Sequence, residues 1–256
     1  LPICIFLGGS WWHLKGLEIC HSPDNAIKIE GSHNIIENCV LHHNGDSGVQ
    51  IGLAKKSTND GSRAATNLIL NCDSFRNFDP KTKGENADGF ACKLYPGPGN
   101  HFYGCRAWEN ADDGWDLFMT TYAVTIENCW TWHNGDSSLF AVTNGYNGDG
   151  NGFKLGGQNR PASHLVRNSI AFENPRGNGF EDNNNDAKSD KTSSSPHNNI
   201  ATATNLSSSL AASSSSYLDA DPFSKVPGLE GMIAERSTGV LANSAVPSHW
   251  KSAVSD

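Results

Sequence analysis

Four carboxylates stand in two similar segments of this sequence. Asp88 lies in Asn86-Ala87-Asp88-Gly89-Phe90; Asp112, Asp113 and Asp116 lie in Glu109-Asn110-Ala111-Asp112-Asp113-Gly114-Trp115-Asp116. Acidic groups that converge repel one another unless a cation sits among them. Hard oxygen ligands at this charge density favour Ca²⁺, which takes about six to eight oxygens. Asp-Gly and Asn-Ala-Asp are also ordinary turn chemistry, so the same residues read as solvated acidic turns. The elements that carry them decide between the two.

Those elements repeat. A loose unit recurs: an apolar strand, Asn-Cys, a few residues, an Asn turn, then Asp/Asn-Gly-aromatic. The turn asparagines are Asn44, Asn77, Asn110, Asn134 and Asn174. The second signature appears as Ser47-Gly48-Val49, Asp88-Gly89-Phe90, Asp113-Gly114-Trp115, Asn151-Gly152-Phe153 and Asn178-Gly179-Phe180, with Asn25-Ala26-Ile27 an earlier copy. Steps between these positions are 22, 41, 25, 38 and 27 residues. The short steps fit one turn of a right-handed parallel β-helix, and the long ones are turns carrying insertions. The fold class is therefore all-β, a solenoid of stacked rungs.

Stacking sets a register. The residues after the signature positions are Ile27, Val49, Phe90, Trp115, Phe153 and Phe180, all apolar and so pointing inward. Strand side chains alternate, so the next residues, Lys28, Gln50, Ala91, Asp116, Lys154 and Glu181, point outward. Neighbouring rungs are roughly 4.8 Å apart. Asp88, Asp112, Asp113 and Asp116 then gather on two adjacent rungs, with Lys154 on the next. The insertions, residues 78–87 and 135–150, fall just before this strand and are expected to wall the same face.

The formal charge of −8 argues against a nucleic-acid or anionic-membrane partner, and an acidic chain binding an acidic polymer needs a local positive device. No apolar run is long enough to span a membrane. The first residues, Leu1-Pro2-Ile3-Cys4-Ile5-Phe6-Leu7, read as the middle of a fold, so further residues are expected ahead of them. The seven cysteines show no C-x-x-C spacing. Cys39, Cys72 and Cys129 each follow Asn and Cys105 follows Gly104, a regularity that suggests stacked buried thiols rather than disulfides.

Asn71-Cys72-Asp73-Ser74-Phe75-Arg76-Asn77, Gly84-Glu85-Asn86-Ala87-Asp88-Gly89-Phe90-Ala91 and the Gly104 to Leu117 run with its Asp-Asp-Gly-Trp-Asp block resemble polysaccharide lyase family 9. Trp11-Trp12-His13-Leu14-Lys15-Gly16-Leu17-Glu18 and Gly150-Asn151-Gly152-Phe153-Lys154-Leu155-Gly156-Gly157 continue the resemblance, which covers about residues 8–186. It implies a parallel β-helix and a calcium-dependent pectate lyase acting on polygalacturonate, secreted and expected to act as a monomer. The family's calcium carboxylates fall on Asp88, Asp112, Asp113 and Asp116, and its catalytic base falls on Lys154. Without the resemblance, a lysine beside aspartates reads as an ion pair. Lys93, Arg160 and Arg176 are candidates for further uronate carboxylates, with solvated surface charge the alternative. Trp108, Trp130 and Trp132 are expected to pack between rungs or under loops, and His42, His43 and His133 are given no catalytic role.

The lyase domain is expected over residues 1–186. Residues 187–216, rich in Ser and Asn, read as a degenerate or flexible segment in which Asn199-Ile200-Ala201-Thr202-Ala203 is a weak strand. Residues 217–256 read as a segment lying along or capping the solenoid. Two other functions stay open: a lyase on another acidic polysaccharide such as rhamnogalacturonan, and a non-catalytic carbohydrate-binding solenoid that keeps a calcium site.

Overall fold

The computed structural model describes residues 2–53, 60–142 and 144–185 and the backbone of the strand Ile200–Thr202. Short strands stack into three parallel sheets, one strand per sheet in each turn of chain. The first sheet runs in order through Ile5–Leu7, Ile27–Ile29, Val49–Ile51, Phe90–Cys92, Trp115–Asp116, Phe153–Lys154 and Phe180–Glu181. The second holds His13–Lys15, Ile35–Glu37, Leu68–Leu70, His101–Tyr103, Thr125–Glu127 and Leu165–Arg167. The third holds Glu18–Cys20, Val40–His42, Asp73–Phe75, Arg106–Trp108, Trp130–Trp132, Ile170–Phe172 and Ile200–Thr202. This is a parallel β-helix.

The Asn-Cys signature has a local cause. Asn38, Asn71, Gly104, Asn128 and Asn168 all adopt positive φ, between 51° and 65°. Each turns the chain from the second sheet into the third in a single left-handed residue, which asparagine and glycine tolerate best. The cysteine that follows is buried in four of these turns, with its thiol near backbone carbonyls of its own and the preceding rung, as Cys72 Sγ is to Leu70 O and Ile36 O at 3.4 Å. All seven cysteines are free thiols.

The asparagine turns form a buried ladder. Asn44 Nδ2 donates to Asn77 Oδ1 at 2.9 Å, Asn77 to Asn110 at 2.9 Å, Asn110 to Asn134 at 3.1 Å and Asn134 to Asn174 at 3.1 Å. Each acceptor also takes the backbone N–H of the asparagine before it. The ladder satisfies backbone groups that the turn takes out of the sheets. A second ladder, Asn34, Asn67 and Asn100, does the same where the chain enters the second sheet.

The register matches the sequence reading. Phe90 pairs with Val49 and Trp115, Trp115 with Phe153, and Phe153 with Phe180; Ala91, Asp116, Lys154 and Glu181 form the adjoining column. Inside, Phe90, Trp115, Phe153 and Phe180 stack with ring centroids 4.9 Å apart at each step. The signature glycines make room for this contact between rungs. A Cβ on Gly114 would lie 2.0 Å from Thr131 Oγ1 and 2.6 Å from Gly152 O.

Trp108 and Trp132 lie half-buried on the outer face of the third sheet, in a stack with Phe75 and Phe172. The weak strand at Ile200 is present and pairs with Ile170–Phe172. The rest of residues 187–216 and all of 217–256 lie outside the described residues.

Candidate active site

The four aspartates occupy the entry to the first sheet on successive rungs. Asp88 precedes Gly89 on one; Asp112 and Asp113 precede Gly114 on the next, with Asp116 two residues beyond that glycine. Asp116 and Lys154 sit opposite each other in register. The insertions meet each other beside this entry, and Asn86 and Asp149 from them touch Asp112. Asn147 N donates to Lys83 O at 3.1 Å and Asn147 Nδ2 to Thr82 O at 3.1 Å, while Phe140 stacks on Phe78 with centroids 5.0 Å apart.

All four aspartates are at most 3% exposed as residues. Backbone and side-chain donors fix them. Asp88 Oδ1 accepts from Asp113 N at 3.2 Å and its Oδ2 from Ser47 Oγ at 3.1 Å. Asp112 accepts from Asn86 N at 2.8 Å and from Asp149 N at 2.6 Å. Asp113 Oδ1 accepts from Asn151 N at 2.7 Å and Nδ2 at 2.9 Å, and Asp116 Oδ1 from Phe118 N at 2.9 Å. Oxygens of Asp88, Asp113 and Asp116 lie within 4.8 Å of one another, as do those of Asp112, Asp113 and Asp149. Asp113 belongs to both groups, and its buried Oδ2 makes no hydrogen bond of ordinary geometry.

Two ammonium groups enter the cluster. Lys93 Nζ lies 2.7 Å from Asp88 Oδ2 and 3.1 Å from Asp116 Oδ2; Lys154 Nζ lies 3.2 Å from Asp113 Oδ2 and 3.0 Å from Asp149 Oδ2. Burial pushes the Asp88 and Asp113 carboxyls well above the usual range, with neighbouring aspartates adding to it and the lysines opposing. Burial raises Asp112 as well. Asp116 is the exception: burial works against its charged form, but Lys154 and Lys93 outweigh it and hold the carboxyl low. Burial likewise favours the neutral amine at Lys154, yet Asp116, Asp113, Asp112 and Asp149 hold its pKa above the ordinary lysine value.

The alternative of solvated acidic turns does not fit these burials. Lys93 is likewise no solvated surface charge: it is 5% exposed, and its ammonium faces Asp88 and Asp116. Arg160 and Arg176 lie outside the cluster, their guanidinium groups 5.1 and 5.3 Å from the rings of Tyr95 and Tyr146. His42 and His133 pair with Glu18 and Asp136 rather than with the four aspartates. Asp149 escaped the sequence reading. Its only signal was an Asp-Gly step inside the second insertion, directly ahead of Asn151.

A family model described as "Pel9A-like, right handed beta helix region" matches residues 3–215. The chain belongs to this family. The match extends beyond the 8–186 span of the quoted motifs. Pectate lyase L of Paenibacillus polymyxa (strain SC2) is 48% identical over 184 residues, and pectate lyase L of Dickeya dadantii (strain 3937) 44% identical over 184. Each alignment covers 70% of this chain and 40% of the relative, so this member of the Pel9A-like family spans about two fifths of those relatives. The crystal structure of pectate lyase Pel9A superimposes with a TM-score of 0.61 at 39% identity, covering 75% of this chain and 42% of the other. A rhamnogalacturonan lyase structure gives 0.52 at 32% identity, covering 66% and 44%.

Proposed function

We propose that this chain carries the catalytic face of a calcium-dependent pectate lyase, which cleaves α-1,4-linked galacturonan by β-elimination with Lys154 as base. One observation carries the reading: four buried aspartates converge on the wall that also presents Lys154, in a chain whose relatives are named pectate lyases.

The donor set fits Ca²⁺. Asp88, Asp112, Asp113 and Asp116 offer hard oxygens only, and they face two ammonium groups, leaving two negative charges for a divalent cation to balance. The buried Oδ2 of Asp113 makes no hydrogen bond of ordinary geometry and has the Lys154 ammonium 3.2 Å away, so it keeps lone-pair capacity for a cation. When bound, Ca²⁺ supplies positive charge that neutralises the aspartates and stabilises the negative charge developing on the uronate carboxylate.

The chain's own residues supply the rest. Lys154 Nζ takes the C5 proton; the C5–H electron pair becomes the C4–C5 double bond, and the C4–O bond breaks with its electron pair on the departing oxygen, which gains a proton from water. Lys154 must be neutral to act, so its readiness depends on how much of the aspartate charge around it is compensated. Asp113 and Asp149 hold the amine in place on the wall, and Lys93 holds Asp88 and Asp116 together.

An enzyme on this polymer works outside the cell, and it needs no nucleic-acid or membrane partner. The test is ultraviolet absorbance of the unsaturated product from polygalacturonate, with calcium and with a chelator. Product only with calcium supports the reading. Product from rhamnogalacturonan alone moves the substrate, and binding to either polymer without product leaves a carbohydrate-binding solenoid.

A further inference from the structure

Lys28 stands in the same outward column as Asp116 and Lys154, in register through Gln50 and Ala91. Four rung spacings put its backbone about 19 Å from that of Lys154 along the wall. The side chain is only 7% exposed. Lys93 and Lys154 each hold two aspartates, whereas the Lys28 ammonium meets no carboxylate and no hydrogen-bond acceptor among the described residues. Lys28 Nζ is nevertheless not fully enclosed. The stem is therefore covered while the charged tip meets solvent.

Gln50, the next residue in the column, extends this arrangement. Its Oε1 accepts from Asn25 Nδ2 at 3.3 Å, and its Nε2 donor is unengaged among the described residues. An ammonium and an amide N–H₂ therefore stand on adjacent rungs, both unpartnered and both 7% exposed. Both donor tips reach solvent while their stems are covered, so they stand fixed on the wall with their hydrogen-bonding capacity open to an acceptor brought from outside. Burial is the main cause that brings the Lys28 pKa down to about 8, helped by the Lys93 charge and opposed by Glu30, Asp46 and Asp24.

We propose that Lys28 and Gln50 form a carboxylate subsite, which receives a uronate of the same polymer several sugars from the bond that breaks. A single ammonium beside a neutral amide donor suits a singly charged carboxylate, and a polyuronate offers one on every sugar. The proposal rests on the polyuronate reading above and deepens it. Lys28 acts in binding and takes no proton from the reacting sugar.

The experiment measures binding of saturated galacturonate oligomers, long chains against dimers, by calorimetry in calcium. The Lys154→Met background stops turnover. Lys28→Gln should weaken long chains by roughly tenfold, the order expected for one charge-assisted hydrogen bond, so that their affinity advantage over dimers shrinks. Lys28→Arg should retain most of that advantage. A second measurement leaves Lys28 unaltered: acetylation of amines in the Lys154→Met protein in calcium, followed by peptide mass spectrometry, should show Lys28 protected by long oligomers and not by dimers. An unchanged long-chain advantage in Lys28→Gln, or Lys28 labelling indifferent to saturating long oligomer, overturns the subsite. Lys28-dependent binding in a wild-type protein that makes no unsaturated product would uphold the subsite while removing the lyase reading.

Discussion

Replacing Lys154 with Met should damage the calcium-free protein far more than the calcium-loaded one. Lys154 Nζ lies 3.2 Å from the fully buried Asp113 Oδ2, and the lysine side chain is itself 11% exposed. At an effective dielectric near 20, opposite charges at that distance attract by about 5 kcal/mol. Removing one partner of such a buried pair costs about 3–5 kcal/mol, because the other charge is left uncompensated. Protonation limits the loss, since burial already pushes the Asp113 carboxyl upward. The second contact, to Asp149, adds little because that carboxylate is 59% exposed. In chelator the expected destabilisation is thus about 3 kcal/mol. Once Lys154 is gone, the four aspartates and Lys93 leave one excess negative charge with calcium bound and three without it, so in calcium the same substitution should cost less, about 1 kcal/mol. Urea unfolding of both proteins in calcium and in chelator measures the difference. Equal losses in the two conditions would mean that no cation shares Asp113 with Lys154, and the site would need another account.

Three further outcomes follow from the scaffold. Gly114→Ala should lower stability by about 1–3 kcal/mol, since its Cβ would meet Thr131 Oγ1 at 2.0 Å and Gly152 O at 2.6 Å; wild-type thermal unfolding would show that the rungs can part without strain. Asn110→Ala removes acceptors from Asn77 and donors from Asn134 and Ser74, and chemical denaturation should report a loss of about 3 kcal/mol. His164 is fully buried and accepts from Val124 N through Nδ1, and burial lowers its pKa to about 4. The unfolded chain binds that proton near pH 6.5 and the folded chain does not, so this contribution to stability is present above pH 6.5 and is lost as pH falls toward 4. His164→Asn, which keeps an acceptor for Val124, should abolish that part of the acid sensitivity; an identical pH profile from unfolding titrations would contradict it.

The columns of the solenoid were legible because each rung repeats the same local constraints. The single left-handed residue at Asn38, Asn71, Gly104 and Asn128 fixes where the chain bends, and strand alternation then decides which side chains face out. Asp116 and Lys154 followed directly from that count. Lys93 did not, because it lies beyond the strand Phe90–Cys92 and reaches back along a flexible stem, a path that register does not specify. Asp149 was hidden for a related reason. It sits on an insertion whose course is set by contacts such as Asn147 with Lys83 and Thr82, distant in sequence, rather than by stacking. The pairings of Arg160 with Tyr95 and Arg176 with Tyr146 also join separate loops, and no periodicity announces them.

The most direct measurement follows calcium through Asp113. Asp113→Asn keeps an oxygen for Asn151 N and Nδ2 while removing the charge beside Lys154. Calcium affinity by calorimetry and the calcium needed for half-maximal release of unsaturated product should agree in the wild-type protein and weaken together, by at least about tenfold, in the variant. Turnover that survives chelator, or an Asp113→Asn protein with both values unchanged, would contradict a lyase built on these aspartates.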